Sequence, residues 1–366
     1  MNKISVCHVV CGLKSGGVES MIYNYCSQLD LSKYDMHIIY QHEPSIKNVQ
    51  EFQRIGFKLK QITSKAKNPI KNFCETYKYF KENNINVIHC HMTLMNFIPL
   101  LAGKILKINI RICHSHNSDV RHKNILKKIF ENILKKFSIK WATHLVACGQ
   151  DAGKYMYANK KFSIIYNGLQ LNKYKYNEIS RKNIREKYNI SEEKIVIGHI
   201  GRFTEQKNHD FIIEMFKDLL KNNKDYILML VGDGELKKRI EDKVKSKNMV
   251  ENIIFAGVVE NPYEYYSAFD YFILPSLWEG LPVVSVEAQA SGLKCLFSDT
   301  IDLNAVIEQE KVEICQLKKE KWIEKIVNNS EIYNRKINIE NFVKKNLDIN
   351  QEVKKLQRLY RGETNV

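Results

Sequence analysis

Short apolar runs alternate with longer amphipathic stretches along the first half of the chain. An apolar run of about four to eight residues is typical of a buried strand, whereas an apolar repeat of about 3.6 residues indicates a helix. Residues 4–11 form the first apolar run, which precedes a glycine-rich turn and a helical pattern through Met21, Ile22 and Tyr25. Further strands are predicted at residues 37–41, 57–62, 87–91, 108–114 and 143–148. This alternation predicts βαβ units and a parallel sheet, which binds ligands at the carboxyl ends of its strands.

A second series of the same kind follows the polar segment 172–194. Its strands are predicted at residues 195–200, 226–231, 253–256 and 272–275. The chain of 366 residues is too long for one compact core, and its 44% of apolar residues can bury two. We therefore predict an α/β fold with two Rossmann-like domains, residues 1–172 and 173–340. A final helical stretch within residues 341–366 is predicted to cross back onto the first domain.

Composition narrows the class of protein. The net charge of +16 comes mostly from scattered lysines and indicates an attraction to anions without identifying them. A nucleic-acid-binding protein concentrates its charges on one stripe with interleaved aromatic residues, so we predict no nucleic-acid partner. The nine cysteines lack a disulfide-like spacing, which favours reduced thiols and a cytoplasmic location. The longest apolar run, residues 92–103, is too short to span a bilayer, so we expect any membrane contact to be peripheral, on the inner face.

Residues 121–140 combine apolar residues at helical spacing with a series of lysines. One interpretation is a basic amphipathic helix that lies on an anionic membrane. The other is an ordinary helix that buries its apolar face and exposes its basic face to water. The pattern leaves both interpretations open.

Histidines are frequent at the predicted strand ends. His89 and His91 flank a cysteine, and the segment 113–116 reads Cys-His-Ser-His, which raises the question of a zinc site. Along a strand, however, His89 and His91 face one side and Cys90 faces the other, and no fourth ligand follows at a suitable spacing. We therefore predict buried core histidines and no metal. His116 differs, because it lies beyond the strand, where ligands are expected.

Two acidic residues lie in the segment 276–292. Glu279 is predicted in a strand-to-helix loop, and Gly280 and Leu281 come just before the first turn of the helix. Backbone N–H groups at that point lack intrahelical partners, so a phosphate would fit there. Glu287 lies within the apolar helix and needs hydrogen-bond donors, which two ribose hydroxyls could supply. The alternative is that Glu279 caps the helix and Glu287 pairs with a lysine.

Two cations follow the predicted strand 195–200. Arg202 could grip a diphosphate with its planar guanidinium, and Lys207 could add a point charge. The alternative is that both are surface cations without a ligand.

Several motifs together resemble a known family. GRFTEQKNH, LVGDGELK, IIFAGV and PSLWEGLPVVSVEAQASG occur in this order, with SGGVES near the start and HSHN after the fifth strand. This set resembles the retaining nucleotide-sugar glycosyltransferases of family 4, in particular their capsular and exopolysaccharide branch. The resemblance implies the GT-B fold, in which two Rossmann-like domains face a central cleft.

The resemblance also implies a role for each candidate residue. Glu279 would contact the transferred sugar and Glu287 the ribose hydroxyls. Arg202 and Lys207 would neutralise the diphosphate leaving group, and Gly280 and Leu281 would donate backbone N–H groups. Gly257 and Val258 would line the base pocket, and His116 would contact the donor sugar. Gly16 and Gly17 would belong to the loop that closes over donor and acceptor.

Two positions depart from the family pattern. Lys294 stands where the family usually has proline, and the usual glycine-rich stretch with a glutamate is not recognisable between residues 299 and 315. The second departure affects the outer donor pocket, so the sequence does not identify the sugar.

These patterns predict a retaining hexosyl- or N-acetylhexosaminyl-transferase. Its donor would be a nucleotide-diphosphate sugar, a UDP-sugar in our prediction, and its acceptor a lipid-linked saccharide in capsular or exopolysaccharide synthesis. No Asp-x-Asp motif occurs, so we expect metal-independent transfer without a cofactor. A nucleotide-sugar 2-epimerase on the same fold and a non-catalytic saccharide- or nucleotide-binding module remain as alternatives.

Overall fold

The computed structural model describes residues 3–14, 17–116, 125–221, 223, 225–279, 281–328 and 334–363, without the side chains of residues 125–127. The chain forms two compact units. Unit 1 comprises Met1–Gly168 and Asn346–Val366, and unit 2 comprises Leu169–Lys345. The first division thus falls after residue 168 rather than 172, and the second after residue 345 rather than 340.

Unit 1 contains a seven-stranded parallel sheet in the order β3-β2-β1-β4-β5-β6-β7. Its strands are β1 (Ile4–Val9), β2 (Tyr34–Tyr40), β3 (Lys58–Gln61), β4 (Val87–Cys90), β5 (Ile110–Ser115), β6 (His144–Ala147) and β7 (Ser163–Ile164). Its helices before the crossing to unit 2 are α1 (Gly17–Cys26), α2 (Ile46–Arg54), α3 (Pro69–Glu82), α4 (Phe97–Ile105), α5 (Ile125–Trp141) and α6 (Gln150–Tyr157). The strand order reverses between β1 and β4, where a parallel sheet opens a crevice for ligands.

Unit 2 contains a six-stranded parallel sheet in the order β10-β9-β8-β11-β12-β13. Its strands are β8 (Ile195–Ile200), β9 (Tyr226–Val231), β10 (Ile253–Gly257), β11 (Tyr271–Leu274), β12 (Lys294–Ser298) and β13 (Val312–Cys315). Its helices are α7 (Leu171–Tyr174), α8 (Glu178–Lys187), α9 (His209–Leu220), α10 (Lys237–Ser246), α11 (Pro262–Ala268), α12 (Val283–Ala290), α13 (Lys319–Asn328) and α14 (Ile339–Lys344). In this sheet the strand order reverses between β8 and β11. The predicted class of two Rossmann-like α/β domains is confirmed.

The C-terminal stretch is two helices rather than the continuous one that its sequence suggested. After α14, Asn346 adopts a left-handed conformation with φ of +57°. The side chain of Asp348 then caps α15 (Ile349–Tyr360) by accepting a hydrogen bond from the Asn350 N–H. An asparagine in this conformation followed by a fresh N-cap ends one helix and starts another. Consequently α14 stays with unit 2, whereas α15 belongs to unit 1.

The helix α15 is held in unit 1 by an apolar stripe. Val353, Leu356 and Leu359 lie in the same buried cluster as residues of β1 and α1. Glu352 is fully buried beside them, where it accepts a hydrogen bond from the Tyr166 N–H at 3.0 Å and pairs with Lys355 at 2.6 Å. Burial of this stripe makes the C-terminal helix an integral layer of unit 1.

Candidate functional site

An ion pair between Lys207 and Glu279 lies at the carboxyl end of the unit 2 sheet. Lys207 Nζ is 2.6 Å from Glu279 Oε1, and the two side chains are only 13% and 11% exposed. The Ser276 hydroxyl donates to the same carboxylate oxygen at 3.1 Å. Glu279 does not cap α12, because Pro282 is the N-cap and no side chain bonds to the helix end there. The helix-capping alternative for Glu279 is therefore wrong.

The loops after β8 and β11 are fastened to each other around this pair. Leu277 N–H donates to the Gln206 carbonyl at 2.8 Å, and the Gln206 side chain donates to the Trp278 carbonyl at 2.9 Å. The Asn208 side chain donates to the Pro275 carbonyl at 3.1 Å. Because β8 and β11 flank the reversal of strand order, the ion pair occupies the usual position of a ligand site in such a sheet.

Glycines in the two neighbouring loops allow backbones and the Lys207 side chain to approach closely. A Cβ atom at Gly201 would lie 3.2 Å from Lys207 Cδ, so Lys207 passes directly over this residue. Gly232, with φ of +133°, packs so tightly on the Gly201 carbonyl that a Cβ atom there would overlap it. The first glycines of the GRF and GDG motifs therefore permit this packing, which positions the Lys207 side chain beside Glu279.

Arg202 is exposed, unlike Lys207, and among the described residues it forms no ion pair. Its neighbour Phe203 is buried and stacks on His209 with ring centroids 3.9 Å apart. The backbone at Arg202 is thus anchored while its guanidinium stays accessible. The structure joins Lys207 to Glu279, whereas the role of Arg202 as a diphosphate ligand stays a prediction.

Glu287 lies on α12 and accepts two hydrogen bonds from tyrosines. The Tyr174 hydroxyl donates to Oε1 at 2.8 Å and the Tyr266 hydroxyl to Oε2 at 2.8 Å. Burial raises the pKa of the Glu287 carboxyl, and the two tyrosine bonds and the nearby Lys173 charge act in the opposite direction. The alternative that Glu287 pairs directly with a lysine is wrong. Each carboxylate oxygen keeps a further lone pair, so the group can still accept ribose hydroxyls.

The two tyrosines were missed by sequence reasoning. Tyr174 belongs to α7, within the polar segment 172–194, and Tyr266 belongs to α11. A tyrosine-rich stretch was the only signal, and it does not indicate a partner.

The other predicted unit 2 residues lie near strand or helix ends. Gly257 ends β10 with φ of +70°, and its carbonyl accepts from the Gly232 N–H at 2.8 Å. Val258 follows it and is 71% exposed, so its side chain is accessible, and its place in the base pocket stays a prediction. Leu281 is half-buried just before α12. Gly280, like Gly16 in unit 1, lies outside the described residues.

Unit 1 has a cavity of about 540 Å³ where β1 and β4 end, and its lining includes Gly17, Glu19, Thr93, His91 and His116. Thr93 has φ of +51°, a strained conformation for a β-branched residue and one that concentrates at functional sites. Burial raises the pKa of Glu19. The sequence motif SGGVES was interpreted through its glycines, so Glu19 was not among the predicted site residues, and no motif included Thr93. We call this cavity the histidine pocket.

His116 is the first member of a line of hydrogen-bonded side chains that leads from the histidine pocket into the core. His116 Nε2 lies 2.9 Å from His91 Nδ1, and His91 Nε2 lies 3.0 Å from His8 Nδ1. The remaining contacts are His8 Nε2 to the Tyr360 hydroxyl at 3.2 Å, the Tyr360 hydroxyl to His89 Nδ1 at 3.0 Å, and His89 Nε2 to His114 Nδ1 at 3.0 Å. We call these six residues the histidine chain.

The histidine chain includes two trios whose nitrogens lie within 4.8 Å of one another, as a metal site would require. Neighbouring nitrogens at 2.9–3.0 Å are at hydrogen-bond distance. Two imidazoles on a tetrahedral zinc ion would be separated by about 3.3 Å, given Zn–N bonds of about 2.0–2.1 Å. The geometry favours hydrogen bonds, and the absence of a bound metal stays a prediction.

Comparisons with known proteins agree with this architecture. The family models for glycosyl transferases group 1 and Glycosyltransferase Family 4 match residues 180–338 and 15–173. The putative glycosyltransferase EpsF of Bacillus subtilis (strain 168) is 32% identical over 305 residues, 81% of this chain and 79% of that protein. An Escherichia coli UDP-Gal:alpha-D-GlcNAc-diphosphoundecaprenol alpha-1,3-galactosyltransferase is 23% identical over 322 residues, which cover 84% of this chain and 83% of that protein. The crystal structure of Anabaena HepE in complex with UDP-glucose has a TM-score of 0.77 at 13% identity, covering 98% of this chain and 100% of HepE.

Fold and sequence together define a glycosyltransferase with the GT-B fold. The chain belongs to glycosyltransferase family 4. Within the described residues, no helix combines the length and apolarity that a bilayer crossing needs.

The burial of the Lys207–Glu279 pair predicts strong mutual dependence of the two charges. Lys207→Met should destabilise the protein by about 2 kcal/mol, because Glu279 would keep only its bond to Ser276 in a nearly buried site. The double variant Lys207→Met/Glu279→Gln should lose about 1–2 kcal/mol less than the sum of the single losses. Urea unfolding of the four proteins measures this coupling.

The exposed pair Lys238–Asp242 on α10, with side chains 74% and 56% exposed, is the matched control. Its double-mutant cycle with Lys238→Met and Asp242→Asn should give a coupling below about 0.5 kcal/mol. An equally small coupling for Lys207 and Glu279 would show that the buried contact does not hold the two loops.

Proposed function

We propose that the protein transfers a hexosyl or N-acetylhexosaminyl group from a UDP-sugar to a lipid-linked saccharide in capsular or exopolysaccharide synthesis, with retention of configuration. The Lys207–Glu279 pair between the loops after β8 and β11 carries this proposal. Support for the donor comes from HepE, which was crystallised with UDP-glucose, and support for the acceptor from the E. coli relative, whose name specifies a diphosphoundecaprenol-linked sugar.

In the proposed reaction, Lys207 and Arg202 stabilise the leaving diphosphate. Negative charge builds up on the diphosphate as the glycosidic bond breaks, so cations placed there lower the barrier. Glu279 contacts a hydroxyl of the transferred sugar. Its Oε1 is bound by Lys207 and Ser276 in the structure, and the sugar hydroxyl would take the place of Lys207. The acceptor attacks from the face that the diphosphate leaves, and a phosphate oxygen helps to remove its proton.

Two other functions give different products. A 2-epimerase would convert the nucleotide sugar to its epimer in the absence of any acceptor, whereas a binding module would release no nucleotide at all. Incubation with a UDP-sugar, with and without a lipid-linked saccharide, separates the three by the products formed. Release of UDP only in the presence of the acceptor is the outcome expected for a transferase.

We predict that UDP-sugars stabilise the protein against heat more than GDP-, ADP- or dTDP-sugars do. A ligand that binds only the native state raises the melting temperature by mass action. Arg202→Ala should remove most of this stabilisation without lowering the melting temperature of the unliganded protein, because the side chain is exposed and unpaired among the described residues. The control is Arg239→Ala on α10, whose side chain is 60% exposed.

The same thermal measurement with EDTA checks the predicted independence of metal ions. Unchanged stabilisation by the UDP-sugar is expected, since cations of the protein are proposed to hold the diphosphate. Loss of the shift on chelation, or an equal shift from all four nucleotides, would contradict the assignment.

The raised pKa of Glu287 predicts that nucleotide binding weakens on acidification. Ribose hydroxyls donate to the ionised carboxylate, and an acid with a raised pKa takes up its proton closer to neutral pH. Affinity should therefore fall as the pH falls through that pKa. Tyr266→Phe removes a bond that lowers the pKa, so the fall should begin at a higher pH.

Calorimetric titration with a UDP-sugar at several pH values measures this effect, because its diphosphate, unlike that of free UDP, has no group that titrates near pH 6. Glu287→Gln should weaken binding on the order of tenfold and abolish the pH dependence. Glu186→Gln, an equivalent change at an exposed residue of α8, is the control. A pH profile unaffected by Glu287→Gln would remove Glu287 from the nucleotide site.

We also propose that α5 lies on an anionic membrane surface. Of its described side chains, Glu131, Leu134 and Ser138 are buried, so these residues form the face that packs on unit 1. Four large apolar side chains are exposed instead, namely Ile129 at 52%, Phe130 at 60%, Ile133 at 44% and Phe137 at 40%. The expectation of an ordinary helix that buries its apolar face is not met by these residues. Residues 121–124 lie outside the described residues.

Lysines lie on the same exposed face of α5. At about 100° per residue, Lys140 falls between Ile129 and Phe137 around the helix axis, Lys136 lies about 20° beyond Ile129, and both lysines are exposed. Apolar side chains that enter the acyl boundary beside lysines that meet acidic headgroups form the pattern of an interfacial helix. Lys135 does not belong to this exposed face, because its ammonium donates to the Tyr155 carbonyl at 2.8 Å and lies 3.4 Å from the centroid of the Tyr155 ring.

Replacement of Lys128, Lys136 and Lys140 by Gln should strongly reduce cosedimentation with phosphatidylglycerol vesicles at low salt. The control replaces Lys182, Lys238 and Lys245 of unit 2, which are also exposed on helices and remove the same charge. If both triple variants lose binding equally, net charge rather than α5 is responsible. Phe130→Ser/Phe137→Ser should weaken binding even at high salt, where surface charges are screened.

A further inference from the structure

Of the histidine chain, the proposed reaction uses only His116, and it leaves the other buried polar groups without a role. Burial lowers the pKa of every histidine in the chain, that of His8 to about 3 and that of His116 to about 4. Each ring is therefore neutral at physiological pH and carries a single N–H. The chain is a string of neutral donors and acceptors whose direction can be worked out.

Counting hydrogens leaves two arrangements. The five rings and the Tyr360 hydroxyl supply one hydrogen each, the contacts between neighbours use five of these six, and the sixth remains at one end. Either all five rings carry hydrogen on Nδ1, or all five carry it on Nε2. An arrangement in which His8 and His89 both donate to Tyr360 leaves the tyrosine hydrogen without an acceptor among the described residues, at a cost.

The inner end of the chain selects between these arrangements. His114 Nε2, at the inner end, is buried without a hydrogen-bond partner among the described residues. A buried N–H without an acceptor is rarer and costlier than an unused lone pair, so this nitrogen should carry the lone pair.

We propose that Tyr360 is a positioning residue whose hydroxyl, by donating to His8, orients the chain so that His116 presents Nδ1–H to a saccharide oxygen in the histidine pocket. This inference rests on the proposed function for its ligand, an oxygen of the donor sugar or of the acceptor. Tyr360 lies on α15, the helix that returns from unit 2, and does not line the pocket itself. Loss of its hydroxyl leaves the two halves of the chain unconnected and the tautomer of His116 undetermined.

The first test measures tautomers directly, in the full-length wild-type protein with ¹⁵N-labelled histidine rings. Long-range ¹H–¹⁵N spectra distinguish Nδ1–H from Nε2–H rings, and single His→Gln variants assign them. The proposal expects Nδ1–H for the five chain rings, and Nε2–H or mixed rings would overturn it. Addition of Zn²⁺ should leave the five resonances in place, because an ion that displaced the His91–His116 hydrogen bond would make this a metal site instead.

The second test compares Tyr360→Phe with Tyr157→Phe. The Tyr157 hydroxyl is also buried in unit 1, where it donates to the Val146 carbonyl at 2.7 Å, but it is not a member of the chain. Tyr360→Phe should produce mixed tautomers and lower kcat/KM about tenfold, the effect of one hydrogen bond. Tyr157→Phe should leave the tautomers and kcat/KM unchanged. Which KM rises, that of the UDP-sugar or that of the acceptor, identifies the oxygen that His116 contacts.

A double-mutant cycle separates positioning from a general structural effect. In a His116→Ala background, Tyr360→Phe should cause no further loss of kcat/KM, because its effect acts through His116. A full additional tenfold loss would overturn the proposal. If the wild-type protein transfers no sugar from any donor, the proposed function fails, whereas the wild-type tautomers still decide the direction of the chain.

Discussion

The contact between Lys207 and Glu279 constrains the whole carboxyl edge of the unit 2 sheet. Two charges that are almost withdrawn from water require each other, so the loops that carry them cannot separate without exposing both. Hydrogen bonds from Gln206 and Asn208 then fix the backbone of the second loop. Gly201 and Gly232 make room for the Lys207 side chain and for the neighbouring backbone. Residues of three motifs, GRFTEQKNH, LVGDGELK and PSLWEGLPVVSVEAQASG, thus place one cation beside one carboxylate.

Unit 1 also buries polar groups, but those of the histidine chain carry no charge. Parallel pairing places His8 of β1 directly beside His89 of β4, and the return of α15 supplies the Tyr360 hydroxyl between them. Neutral imidazoles can be buried at modest cost because every ring nitrogen except the two at the ends of the chain is within hydrogen-bond distance of a neighbour. The result is directional, since a neutral ring has only one hydrogen to give.

The sequence predicted the architecture well, because strands of a parallel sheet are buried on both faces and appear as continuous apolar runs. Ile195–Ile200 and Tyr226–Val231 were located to the residue. Side-chain partners were harder to predict. Lys207 and Glu279 were each recognised, but their contact joins positions 72 residues apart and depends on strand order. Tyr174 was missed because a tyrosine in a polar connection gives no sign of the carboxylate that it will meet.

Periodicity identified α5 as amphipathic but could not determine which side faces the protein. A helical pattern gives the angle between apolar and basic residues, whereas the buried face is chosen by the elements around it. Here Leu134 lies inward with Glu131 and Ser138, and the larger apolar residues lie outward. The same limit applied to the C-terminal stretch, where an apolar repeat continued across the break at Asn346. Local conformation and tertiary contacts, rather than the repeat, set that break.

The pairing of Lys207 with Glu279 also bears on the order of events in the proposed reaction. Before a donor binds, the charge of Lys207 is balanced by the carboxylate, so the pair attracts a diphosphate only weakly. Arg202 is exposed, and among the described residues it has no such counterion, so in the proposed reaction it would provide the initial attraction together with the general positive charge of the chain. Lys207 would then become available to the phosphate as Glu279 exchanged its ammonium partner for a sugar hydroxyl. A donor that carries both a diphosphate and a fitting sugar satisfies both groups at once, whereas the nucleotide alone would leave Glu279 without a replacement for Lys207.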